Sequence, residues 1–180
     1  MTLEILRLGP GDAPALFKLR RESLLTEPHA FLASPEDDLA SSEEAVRAML
    51  TRAPEAVVFG ARAQGLVGLV GLHRGSARKA AHKANLWGLY VTAAWRGHGV
   101  GAQLVQAAVA HARTLPGVRA VRLGVSESAP GARRLYERAG FIPWGTEPDA
   151  LRCAGRSFAE CHMELTLAVA GGGAGDDSHA

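Results

Sequence analysis

Residues 85–105, Asn-Leu-Trp-Gly-Leu-Tyr-Val-Thr-Ala-Ala-Trp-Arg-Gly-His-Gly-Val-Gly-Ala-Gln-Leu-Val, constrain this chain more than any other stretch. Leu86 to Val91 is apolar and aromatic-rich, which reads as a strand, and Thr92 to His98 reads as a turn. Gly99 opens a helix that keeps Val100, Leu104, Val105, Ala108 and Ala112 near one face. A strand feeding a Gly-rich turn and then a helix N-terminus is suited to hold an anion. The first helical N–H groups have no intrahelical partners, and the macrodipole is positive there. Gly97, Gly99 and Gly101 carry no Cβ, so a phosphate can come close to the amides.

Three patterns compete for this loop. A P-loop requires Gly-Lys-Ser or Gly-Lys-Thr, which the chain lacks. A dinucleotide fingerprint is formally matched by Gly97-His98-Gly99-Val100-Gly101-Ala102, but the following strand, Ala120 to Val125, offers no acid for a ribose hydroxyl. The third pattern, Arg96-x-x-Gly99-x-Gly101, resembles the acyl-CoA pyrophosphate loop of the Gcn5-related N-acetyltransferase (GNAT) superfamily. Two further likenesses accompany it. Leu89-Tyr90-Val91 is similar to the strand that precedes the loop in that family. Residues 129–141, with Ala132, Leu135, Tyr136, Gly140 and Phe141, resemble its N-x-x-A-x-x-L-Y-x-x-x-G-F segment, with Ala129 in place of the leading Asn.

The resemblance implies an α/β fold with a mixed central sheet of about seven strands and helices on both faces, in the order β-α-α-β-β-β-α-β-α-β-β. One N-acetyltransferase domain is expected over residues 1–168, followed by a Gly-rich disordered tail over 169–180. The chain's own patterning agrees with that order. Leu3 to Leu8 alternates as a strand, and Asp12 is a plausible N-cap for the helix that follows, with its stripe of Leu16, Phe17, Leu19, Leu24 and Leu25. Ser41 or Ser42 caps a second helix ending before Pro54. Ala56–Ala61 and Leu66–His73 form a hairpin, and Lys83–Val91 leads into the glycine loop. Val118–Val125 is a strand, Pro130–Ala139 a helix stopped by Gly140, Phe141–Trp144 the start of a short strand, and Phe158–Ala168 the last.

Composition narrows the partners. The 180 residues carry a net charge of +2, too little for a dedicated nucleic-acid binder. Cys153 and Cys161 are the only cysteines and have no metal-like spacing, so no metal is expected. No signal-peptide pattern and no apolar run of about 18 residues is present, so no membrane association is expected and a cytoplasmic enzyme is the default.

The resemblance also assigns roles. The cosubstrate would be acetyl-CoA and the acceptor an amine, attacked directly because no paired Cys nucleophile is recognisable. The loop amides around Arg96, Gly97, His98, Gly99, Val100 and Gly101 would hold the pyrophosphate. Leu89, Tyr90 and Val91 would border the pantetheine arm, with Gly88 placing a bulge that starts a split between two strands. Tyr136 would protonate the leaving thiolate. Where the family often has a glutamate base, this chain has Asn85; an amide takes no proton but can hold a water or the substrate. His73, His82 and Glu127 are other groups near the strand ends, and Ser128 is a weak substitute for the missing Asn at Ala129. Residues 22–44 hold seven acids and no Lys or Arg, an acidic wall that would attract a cationic acceptor. The basic turn Arg74, Arg78, Lys79, Lys83 is a solvated tip or a site for the CoA 3′-phosphate. A homodimer through the last strands is plausible by resemblance. A different acyl-CoA donor and a CoA-binding domain without catalysis are the alternatives.

Overall fold

The computed structural model describes residues 2–168; the expected Gly-rich tail at 169–180 lies outside the described residues. The elements are β1 (Glu4–Arg7), α1 (Ala13–Thr26), α2 (Glu43–Leu50), β2 (Ala56–Arg62), β3 (Leu66–Arg74), β4 (Lys83–Val91), α3 (Val100–Thr114), β5 (Ala120–Ser126), α4 (Pro130–Arg138), β6 (Ile142–Cys153) and β7 (Arg156–Thr166). They form one seven-stranded mixed sheet in the order β1-β2-β3-β4-β5-β7-β6. Among the described residues, only the β4–β5 pair is parallel. No helix among the described residues is long and apolar enough to cross a membrane.

Alternation along the strands sends one set of side chains to each face, and each face has its own core. On one, Val57, Val70, Leu72, Leu86 and Val121 pack with Val100, Leu104, Val105 and Ala108 of α3 and Tyr136 of α4. On the other, Val58, Leu69 and Tyr90 pack with Leu16 and Leu19 of α1 and Val46 and Leu50 of α2. Helices thus cover both faces, as the element order led us to expect.

Local signals account for most boundaries. Ser42 accepts the Ala45 N–H at 3.1 Å and caps α2. Asp12 precedes α1 but does not cap it: its carboxylate accepts the Gly9 N–H at 2.8 Å and pairs with Arg62 of β2. A short 3-10 turn at Pro10–Asp12 leads the chain into α1 instead. β6 runs far beyond the short strand expected from Phe141. It is an edge strand with mostly exposed side chains and a register shift between Glu147 and Leu151, so it shows little alternation and tolerates Pro143. β7 starts two residues earlier than expected and ends at Thr166.

The feature that positions the site is a split. β4 and β5 are paired only from Lys83 to Asn85 and from Ala120 to Arg122. Just beyond, β4 carries a bulge: Leu69 pairs Tyr90 and Gly71 pairs Trp87, so Val70 alone faces both Gly88 and Leu89. Gly88 has φ +68°, backbone that suits glycine. The extra residue also reverses the alternation. Leu86 points into the α3 side core, whereas Tyr90, four residues on, packs on the α1 side.

Candidate active site

A cleft of about 1290 Å³ opens where β4 and β5 part and runs along the groove between α3 and α4. That exceeds the usual range of roughly 300–1,000 Å³ for small-molecule sites, as a long ligand requires. Leu89, Tyr90 and Val91 of β4, then Arg96, Gly97, Gly99, Val100 and Gly101 of the loop and α3, line it. Eight of the twelve residues singled out from sequence therefore border one space. His98, Asn85, Ser128 and Tyr136 are not on its wall.

The three glycines act for different reasons. Gly97 and Gly99 have φ of +79° and +75°, and nothing lies within 4 Å of where a Cβ would be. They let the loop turn while leaving the amides at the start of α3 uncovered. Gly101 has ordinary helical backbone, and its missing Cβ leaves room for Leu135 of α4 rather than for a phosphate.

Arg96 is anchored rather than free. Its Nε donates to the Val91 carbonyl at 2.9 Å, its Nη2 to Glu27 at 2.8 Å, and its guanidinium lies over the Tyr90 ring. This ties the loop to the end of α1. His98 turns its Nδ1 to the Arg96 carbonyl at 2.9 Å and its ring edge to Trp95. The Tyr90 hydroxyl donates to Glu22 at 2.9 Å and meets Thr26 at 3.2 Å, and burial foremost pushes its pKa up.

Tyr136 is 5% exposed and packs edge-on against Phe141. Desolvation raises its pKa far above the usual phenol value, so the ring keeps its proton. Asn85 stands at the last rung shared by β4 and β5, beside His73 of β3, on the α1 face. Burial, then the charge of Arg52, pulls the His73 pKa down. The Ser128 hydroxyl donates to the His29 carbonyl at 2.7 Å and meets the Ser126 hydroxyl at 2.9 Å, so it ties the β5–α4 turn to the α1–α2 loop. Glu127 is also engaged, accepting the Ala159 N–H at 2.9 Å.

Four of the seven acids of the expected wall have partners within the protein. Glu22 serves Tyr90, Glu27 serves Arg96, Asp37 accepts from Ser34 and Asp38 holds Arg20. Arg20 is itself buried between the rings of Phe31 and Trp87, and its Nη1, close to Gly88, has no acceptor among the described residues.

The basic turn is not part of the cleft. Arg74 bonds the Ala81 carbonyl and pairs with Glu55. The cations on the cleft wall besides Arg96 are Arg113 of α3 with Arg134 and Arg138 of α4. The sequence signal for the latter two was the basic run within residues 133–138, in the same segment as Tyr136. Sequence reasoning also passed over an ionisable group on the open α1 face: donor atoms of Glu147, Glu160 and His162 lie within 4.8 Å of one another. The alternation of Glu160, His162 and Glu164 against buried Cys161 and Met163 was its legible trace.

A family model described as Acetyltransferase (GNAT) family matches residues 16–141. A GNAT-family acetyltransferase from Streptococcus pneumoniae has a TM-score of 0.81 at 21% identity, covering 92% of this chain and 100% of that one. The yncA protein from Salmonella typhimurium, solved with its cofactor acetyl-CoA, has a TM-score of 0.81 at 19% identity over 99% of this chain and 100% of its own. A GCN5-related N-acetyltransferase from Kribbella flavida has a TM-score of 0.78 at 25% identity over 92% and 98%. No curated protein sequence matches the chain.

Proposed function

The chain belongs to the acetyltransferase (GNAT) family, and from that premise we propose that it moves an acetyl group from acetyl-CoA to a primary amine. One observation carries this reading. Loop backbone with two glycines at positive φ presents the amides at the start of α3 to a large cleft that begins at the β4–β5 split. Unpartnered helical N–H groups with the dipole behind them suit a pyrophosphate. The uncovered positions at Gly97 and Gly99 leave room for one. The apolar side chains of Leu89, Val91, Val105 and Leu135 suit a pantetheine arm. Acetyl-CoA in the yncA structure supports the same cosubstrate here.

The residues then divide the work. Arg96 adds positive charge beside the loop, and the half-exposed Glu27 that holds it is a weak competitor for it. Arg113, Arg134 and Arg138 face the far phosphate of the CoA nucleotide. The β4 backbone at Leu89 and Val91 pairs with the arm, and Tyr136 supplies a proton to the departing thiolate. That role rests on the likeness of residues 129–141 to the family segment; burial keeps the phenol protonated but also makes it a weaker acid. The acceptor amine enters from the α1 face. Of the acids of residues 22–44, Glu27 and Asp38 are neutralised by Arg96 and Arg20, while Glu22 and Asp37 keep their charge for a cationic acceptor. The domain spans the described residues to 168, and a homodimer would form through β6, an edge strand that exposes Ile142 and Trp144.

Thermal unfolding with acetyl-CoA, CoA or NADH tests the reading. A ligand at 100 times its Kd adds about 2.7 kcal/mol, a clear rise in Tm. Stabilisation by both CoA species and not by NADH is expected, with thiol release once the right amine is supplied. Stabilisation by NADH alone would overturn it.

A further inference from the structure

The proposed transfer needs a group that takes the proton of the attacking amine, and the β4 position at which the family resemblance leads one to look for it holds Asn85. The register points elsewhere. Asn85 and Arg122 form the last rung between β4 and β5. Two residues further along each strand stand Trp87 and Gly124, at the opening of the split and level with the Gly88 bulge. On the α1 face Gly124 offers no side chain, and the space above it is filled from β7. A Cβ at position 124 would lie 2.3 Å from Cδ of Glu160 and 2.5 Å from both of its carboxylate oxygens. Glu160 pairs with Ser126 on β5. Its side chain therefore lies across β5, toward the gap between β5 and β4, instead of standing straight out from β7.

We propose that Glu160 is the general base of the acetyl transfer, a step that rests on the function proposed above. Its carboxylate takes the proton from the amine nitrogen, directly or through one water, as the N–C bond forms. The thioester C–S bond then breaks, and the thiolate leaves with a proton from Tyr136.

The surroundings support this role. Burial holds the Glu160 carboxyl above the usual carboxylate range; His162, with Nδ1 at 3.9 Å, opposes that, and Glu147 on β6 adds to it. A base with a raised pKa accepts an amine proton more readily. The nearby cation on β5, Arg122, is taken by Glu164 of β7 and lies over Trp144. From the α1–α2 loop, His29 stacks on Phe158. Among the described residues, no arginine or lysine is paired with Glu160. The rival carboxylate, Glu127, is bonded to the Ala159 N–H.

The test uses the full chain, acetyl-CoA and a panel of amino acids, polyamines and peptides, with thiol release as the readout. Glu160→Gln should lower kcat by about 100-fold or more and abolish the acidic limb of the kcat/KM pH profile. The Tm rise with acetyl-CoA should stay as in the wild type. Gly124→Ala, which evicts the carboxylate and leaves Glu160 in place, should reproduce the kinetic defect. A wild-type rate and pH profile in Glu160→Gln would overturn the assignment. So would activity that a chelator removes and a divalent cation restores, because the cluster would then hold a metal. A Tm rise with acetyl-CoA but no turnover of any amine by the wild type would overturn it too, leaving the cosubstrate reading intact; no Tm rise at all would instead sink that reading.

Discussion

Gly101 and Leu135 are fitted to each other: a Cβ on residue 101 would lie 2.8 Å from Cδ1 of Leu135, closer than carbon atoms tolerate. The two helices that wall the cleft, α3 and α4, come together at that point because residue 101 has no side chain. Gly101→Ala should force Leu135 aside and cost about 1–3 kcal/mol, the range for overpacking. Because Leu135 lines the cleft, the Tm rise with acetyl-CoA should shrink as well. Gly97→Ala meets no atom within 4 Å but has φ +79°, so it should cost about 1–2 kcal/mol through backbone strain alone. Urea unfolding of both variants separates the two causes.

Arg20 and Asp38 form a two-pronged pair, Nε and Nη2 each 3.0 Å from a carboxylate oxygen, with both side chains under a tenth exposed. The pair pins the α1–α2 loop to α1. Removing one partner leaves a buried charge without compensation. Asp38→Ala should therefore cost about 3–5 kcal/mol. Salt should weaken the wild-type pair little, since buried charges are poorly screened. Denaturant midpoints at low and high salt check both statements.

Tyr136→Phe removes a hydroxyl and leaves the ring packed on Phe141. Stability should change little, and acetyl-CoA should stabilise the variant as it does the wild type. Thiol release should fall about 100-fold, within the range for a lost general acid. Stopped-flow or steady-state thiol assays under saturating acetyl-CoA make the comparison.

Arg134→Glu combined with Arg138→Glu should raise KM for acetyl-CoA and leave KM for 3′-dephospho-acetyl-CoA nearly unchanged. Both side chains are exposed on the cleft wall, so the effect should also fade at high salt. Equal losses with both cosubstrates would place the 3′-phosphate elsewhere.

Glu160 links activity to stability through pH. Burial raises its folded-state pKa, so the folded chain binds that proton more tightly than the unfolded chain does. The ionised carboxylate therefore costs stability at neutral pH. That cost disappears as the pH falls through the raised pKa toward the unfolded value. Glu160→Gln should melt at a higher temperature than the wild type at pH 8, and the advantage should fade as the pH approaches about 4.5. Melting curves across this range give the answer directly.

Much of this was legible in the residues. The loop from Val91 to Gly101 declared itself because glycine spacing, a preceding apolar strand and a following helical stripe are all local. Element order followed from alternation and caps. Gly88 marked the bulge because few residues other than glycine adopt positive φ at low cost. The length of β6 was not legible, since an exposed edge strand shows no buried face. The Asp12 cap failed because a stronger partner, Arg62, lies 50 residues away.

By itself, then, the sequence determined the backbone of the glycine-rich turn, the two helices of the cleft and the family pattern around them. Each depends on neighbours within a few residues, where propensity and periodicity act. The tertiary structure alone decided which residues meet across strands. It turned Tyr90 to Glu22 by inserting one residue in β4, gave Glu22, Glu27, Asp37 and Asp38 partners within the protein, and laid Glu160 over Gly124 from 36 positions away. Such contacts are set by sheet register and strand order, and β7 reaches β5 only by being inserted between β5 and β6. No local pattern carries that information.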